Sequence, residues 1–180
     1  MRDEGRKKHF KIMKEVVIKD SALQQAAMEG MDAFIQVFVD KTLEAVGGEL
    51  TAENMGELNA SQITLVAYHM MREEVMDGGF VQLIHNSLGA FIFLNPFAKM
   101  LGMWGLRDLS KLIHNARPLY KQSHEEIERE CTDEEFMEMF EKHPEFDDYD
   151  DEFVENEEEW TAQIAHYVDE HLDDFARIEA

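Results

Sequence analysis

Cysteine is nearly missing: Cys131 stands alone in 180 residues, so no disulfide can form within the chain. A reducing, cytoplasmic setting is the expectation that follows. Residues 1–10 are charged and lack the apolar run of a secretory signal, which points the same way. A long hydrophobic run is missing too. The most apolar stretch, Leu88 to Leu106, is interrupted by Asn95, Pro96, Lys99, Gly102 and Gly105. A membrane span needs about 20 apolar residues in unbroken helix, so this stretch reads as buried core. No segment alternates apolar and polar residues with a period of two, and β-branched runs are short.

Catalytic and metal motifs are absent as well. There is no H-E-x-x-H, C-x-x-C, G-x-S-x-G or phosphate-binding glycine loop. His69 and Glu73 offer two ligands at helical spacing, where a catalytic zinc needs three from the protein. Asp148, Asp150 and Glu152 alternate as in a calcium loop, and Glu159 stands where the closing Glu belongs. Phe153, however, occupies the position where the turn requires glycine. Cys131 lies among Glu128, Glu130, Asp133 and Glu134, whose charges disfavour a thiolate. No cofactor and no metal are expected.

What is abundant is acid. The chain carries 17 basic and 39 acidic residues, a formal net charge of -22. The distribution is uneven. Residues 1–124 hold 14 basic and 15 acidic residues, whereas residues 125–180 hold three basic (Arg129, Lys142, Arg177) and 24 acidic. The first 19 residues lean the other way, with seven basic against three acidic, so residues 1–20 read as a basic arm or helix. It could pack on the acidic end of its own chain or of a neighbour. Residues 21–180 read as one helical domain, with a near-neutral core (21–124) and an acidic helical segment (125–180). A surface this negative repels nucleic-acid phosphates and anionic lipid, and attracts basic proteins.

Helical spacing organises the rest, and the fold class expected is all-α, a multi-helix bundle. One helix is predicted over 21–46, capped by Ser21 and ended by Gly47-Gly48. A second, about 60–76, is capped by Asn59 or Ser61 and apolar on most sides, which places it centrally. A third spans 80–88. Residues 90–103 should form two short pieces broken at Asn95-Pro96. A further helix covers 106–121, kinked or ended by Pro118. Thr132 and Glu135 form a capping-box signature. Phe146, Tyr149, Phe153 and Val154 should dock the acid-rich residues 145–159 on the core. A last helix is predicted over 157–178. The twelve methionines read chiefly as adaptable core filler.

The densest polar stretch is Glu74 to Gly89. Glu74 falls on the buried stripe of its helix, and backbone N–H groups after Gly78-Gly79 are its expected partners. Gly78-Gly79 permits a change of helix direction before Phe80, and Asn86 to Gly89 ends the next helix. The competing reading is a hydrolase using Glu74, Asp77 and His85.

Tyr68, Glu74-Val75, Asp77-Gly78-Gly79-Phe80, Gln82, Asn86-Ser87 and Gly89 together resemble the signature of a bacterial DNA-mimic protein family. Phe146-Asp147, Asp150, Phe153, Tyr167-Val168 and Phe175 fit the same pattern. Asp77 stands where the family motif often has Asn. The resemblance implies an all-α, dimeric protein whose acidic face imitates DNA phosphates and occupies a helix-turn-helix transcription factor. It leaves Glu74, Gly78, Gly79, Phe80, Asn86 and Gly89 as a structural signature.

The expected function is therefore a DNA mimic, not an enzyme, that binds a basic DNA-binding protein such as a transcription factor or nucleoid protein. The acids expected to meet it are Asp147, Asp148, Asp150, Asp151, Glu155, Glu158, Asp169 and Asp173. The alternative with the same surface is an immunity or antitoxin protein that blocks a basic nuclease.

Overall fold

The apolar residues spaced by three and four along the sequence converge on one core in a computed structural model that describes residues 11–180. Helix α1 spans Asp20–Glu29 and α2 spans Met31–Ala45. The single helix expected over 21–46 is thus divided. Gly30 adopts φ 129° and ψ 178°, a conformation that L side chains avoid, and turns the chain between the two. Lys19, not Ser21, holds the N-cap position of α1.

Helix α3, Ala60–His85, runs through the centre. Asn59 and Gln62 form a full capping box at its start. Leu65, Val66, Ala67, Tyr68, Met71 and Val75 are buried in its first limb, and Phe80, Leu83 and Ile84 in its second. Between the limbs Gly78 and Gly79 leave helical geometry, so the predicted change of direction is present. A π-type turn, Ala90–Leu94, and helix α4, Phe97–Met103, are separated at Asn95-Pro96 as expected. Helix α5, Arg107–Glu128, continues past Pro118. Ala116, Tyr120, Ser123 and Ile127 extend the buried stripe beyond it, and that packing outweighs the hydrogen bond lost at proline.

Helix α6, Asp133–Lys142, opens with the Thr132–Glu135 capping box. Helix α7, Asp147–Glu170, is one continuous element, beginning ten residues before the predicted start of the last helix. It packs against α2 and α3, and a short α8, Leu172–Phe175, follows. Phe146 and Phe153 are buried as expected, while Val154 is exposed. Among the described residues the protein is all-α apart from two three-residue strands. These are β1, Val17–Lys19, and β2, Arg177–Glu179, which pair in parallel with Ile18 opposite Ile178. The Asn59 amide donates to the carbonyl of Asp174 and the Gln62 amide to that of Phe175, which ties the C-terminal end to the start of α3.

Residues 1–10, half of the expected basic arm, lie outside the described residues. The methionines are not mainly core. Met71 and Met139 are buried, but Met13, Met28, Met31, Met76, Met103 and Met137 are exposed. No helix among the described residues is long and apolar enough to cross a membrane.

Candidate functional site

Helix α7 carries the acid-rich sequence, and two sets of polar contacts on its inner face fix its position. The first is centred on Arg72 of α3. Its Nε lies 2.5 Å from Oε1 of Glu157, and one Nη lies 2.9 Å from Oδ1 of Asp32 on α2. Glu157 is only 5% exposed. Its carboxylate also accepts from the Thr161 hydroxyl at 3.2 Å, and that hydroxyl lies 2.7 Å from the Tyr68 hydroxyl. Burial of Tyr68 pushes its phenol up to about 12, so it is a neutral partner in this chain. A buried carboxylate survives only when paired and hydrogen-bonded, and Arg72 supplies both.

The second set is centred on Asp150, which was expected among the outward acids. It turns inward instead. Its carboxylate accepts the Phe80 N–H at 2.8 Å and fills the space where a Cβ at Gly79 would lie. Gly79 has φ 70°, so the motif needs glycine there for its backbone as well as for its neighbour. Burial, with the charges of Asp147 and Asp151 nearby, raises the Asp150 carboxyl from its ordinary 3.8 to about 6, against the opposing hydrogen bond from Phe80.

The partner expected for Glu74 is therefore corrected. The backbone N–H that opens the second limb of α3 is taken by Asp150. Glu74 accepts instead from the Gln82 amide at 3.0 Å and the Asn86 amide at 2.8 Å, and Gln82 also donates to Asp77 at 2.8 Å. Gln82 also sits where a Cβ on Gly78 would collide. The end of this limb differs too. Ser87, not Gly89, takes the left-handed conformation, at φ 65°. The Leu88 N–H returns to the Leu83 carbonyl at 3.1 Å. Gly89 is needed because the Tyr120 ring lies against it. Glu74, Gly78, Gly79, Phe80, Asn86 and Gly89 thus sit at one junction of α3, α5 and α7.

The hydrolase constellation is not assembled. Glu74 and Asp77 share Gln82, whereas His85 holds the Ile127 carbonyl at 2.8 Å through Nδ1 and stacks near Phe136. The calcium-loop spacing is likewise not a loop, because residues 148–159 lie within α7. No group of three His, Cys, Asp or Glu side chains that could hold a metal occurs among the described residues.

The outer face of α7 is different in kind. Asp148, Asp151, Glu155 and Glu159 follow one another at three- and four-residue steps and are all exposed. Asp147, Glu152 and Glu158 flank them, also exposed. Glu152 and Glu159 were not among the expected contacts, although the same i, i+4 spacing marks them. Seven outward carboxylates thus occupy residues 147–159, about 20 Å of helix axis at about 1.5 Å per residue. Helix α7 contains no lysine or arginine. That is one charge per roughly 3 Å, within a factor of two of duplex DNA at about 1.7 Å. Asp169 lies further along the same helix and Asp173 on α8, both exposed. The structure thus places Asp147, Asp148, Asp151, Glu155, Glu158, Asp169 and Asp173 outward, and Asp150 inward.

Comparison with known proteins covers this same part of the chain. The family model described as "DMP19-like protein" matches residues 56–171, from just before α3 to just after α7. A relative, the DNA mimic protein DMP19 of Neisseria meningitidis serogroup B (strain ATCC BAA-335 / MC58), is 31% identical over 127 residues. The match covers 70% of this chain and 77% of the relative. With the glycine junction and the acid-bearing α7 both inside the matched region, the chain belongs to the DMP19-like protein family.

Proposed function

We propose that this protein is a DNA mimic that occupies the DNA-binding surface of a basic protein, such as a helix-turn-helix transcription factor or a nucleoid protein. The observation that carries the reading is the outer face of α7: a row of carboxylates with no lysine or arginine in its own helix, on a helix held by buried contacts. Each carboxylate accepts from Lys or Arg as a phosphate oxygen does. A rigid scaffold keeps the row ordered before the partner arrives, which lowers the entropy cost of binding. The name of the Neisseria relative supports the same role.

In this reading Asp147, Asp148, Asp151, Glu155 and Glu158 form the main contact, and Asp169 and Asp173 extend it. Asp150 supports the row from beneath. The protein acts as a cytoplasmic binder, not a catalyst. A homodimer would offer two such rows to a dimeric repressor, whose half-sites on DNA lie about 34–36 Å apart.

The test begins with pull-down from cell lysate at low salt, with mass spectrometry to name the partner. Duplex DNA should displace that partner. The variant D147N/D148N/D151N/E155Q/E158Q should lose binding by at least a hundredfold and flatten its salt dependence. Binding that survives with an unchanged salt slope overturns the mimicry.

A further inference from the structure

A row of carboxylates attracts any basic protein, just as phosphate contacts hold a protein on DNA without reading its sequence. Selectivity requires something that charge does not supply. A groove of about 200 Å³ lies on the exposed side of the α2–α7 packing. It is lined by Ala27, Met31 and Phe34 on one side and by Ala165, His166 and Asp169 on the other.

Two features define what fits it. The floor is apolar, and Met31 at its edge is 49% exposed with Met28 beside it at 82%. Unbranched thioether side chains adapt to the shape of an incoming group. The rim is acidic. Asp169 lines the groove and Glu29 precedes Gly30, while Asp32 beyond Met31 is already paired with Arg72. Residues 20–40 contain no lysine or arginine. Along α7 the groove is the direct continuation of the carboxylate row. Glu158 leads to Ala162, then His166 and Asp169, at three- and four-residue steps.

We infer that this groove receives a single aliphatic side chain carried on the basic surface of the partner, flanked by Lys or Arg that pair with Asp169 and the α7 row. DNA phosphates offer no such pocket, so the groove selects among basic proteins that the row alone would bind alike. The inference rests on the proposed role of the outer face of α7.

Two synthetic peptides test it. One is a helical peptide rich in Arg and Lys with one central leucine, and its twin has glutamine at that position. Fluorescence anisotropy at low salt compares the wild type, A27Q/M31Q, and L94Q as a control on another exposed apolar side chain. The wild type should bind the leucine peptide roughly tenfold more tightly than its twin, the effect of burying one aliphatic side chain. A27Q/M31Q should bind both peptides equally, with an unchanged salt slope, and L94Q should behave as the wild type. The methyl resonance of Met31 should shift only with the leucine peptide. Equal binding of both peptides to the wild type, or a preference that survives in A27Q/M31Q, overturns the groove while the charge row stands. Failure of both peptides to bind the wild type at low salt overturns both.

Discussion

The inner and outer faces of α7 are built from the same residue types and behave oppositely. Asp150 and Asp151 are neighbours, yet one accepts a backbone N–H against Gly79 and the other faces water. Glu157 is buried against Arg72, and Glu158 beside it is exposed. On the inside each acid has a named partner and the helix depends on it. On the outside the acids have no cation within their own helix and repel one another. Acidic composition therefore says little about what a given carboxylate does. Its position on the helix, read against what it touches, says nearly everything.

Breaking the inner face should give the largest effect. Arg72→Met leaves Glu157 buried without its cation and should cost about 3–5 kcal/mol in denaturant unfolding. The pair R72M/E157L removes both charges and should recover most of that loss. If R72M alone is silent, the buried pair does not hold α7.

A smaller effect, and one of defined sign, belongs to Asp150. Its folded-state carboxyl is raised from 3.8 to about 6, so between those values the folded protein keeps a proton that the unfolded chain releases. Its contribution to stability is therefore present at the acidic end and lost as pH rises through about 6. Asp150→Asn keeps the acceptor for Phe80 but removes the titration. The stability of the wild type relative to D150N should rise as pH is lowered from neutral towards 4, followed by unfolding at several pH values. A relative stability that stays flat, or falls, over that range refutes the assignment.

The outer face should respond least in stability. D151N/E155Q relieves three i, i+4 repulsions, 147–151, 151–155 and 155–159, each worth about 0.2–0.5 kcal/mol, and the gain should be seen as a small rise in Tm. A loss above about 1 kcal/mol would show that these acids have inner-type partners and would erase the contrast.

Much of the fold is legible in the sequence because it depends on local signals. The capping box at Thr132–Glu135, and the breaks at Gly78-Gly79 and Asn95-Pro96, follow from residue type and spacing alone, whereas either Asn59 or Ser61 could cap α3 on those grounds and the structure selects Asn59. What is hidden depends on distant partners. Three-residue strands have no periodicity to read, and β1 and β2 exist only because residues 160 apart in sequence meet. Pro118 marks a helix end unless the buried stripe beyond it is known to pack. The early start of α7 is masked by its acids, although Phe153, Trp160, Ile164 and Val168 carry the helical spacing. In the candidate site, the outward acids can be read from helical phase. The inward turn of Asp150 cannot, because its partner lies 70 residues away.

The parallel pairing of β1 with β2 has a mechanical consequence. The chain enters β1 at Val17, beside Arg177, and leaves β2 at Glu179, beside Lys19, the opposite end of the pair. Tension on the two flanking segments therefore slides one strand along the other, loading their hydrogen bonds together rather than unzipping them one by one. The Arg177–Glu15 ion pair and the Arg177 N–H to Val16 carbonyl bond lie at the end where the pull on β1 is applied. The small sheet works as a shear clasp that closes the chain around its helices.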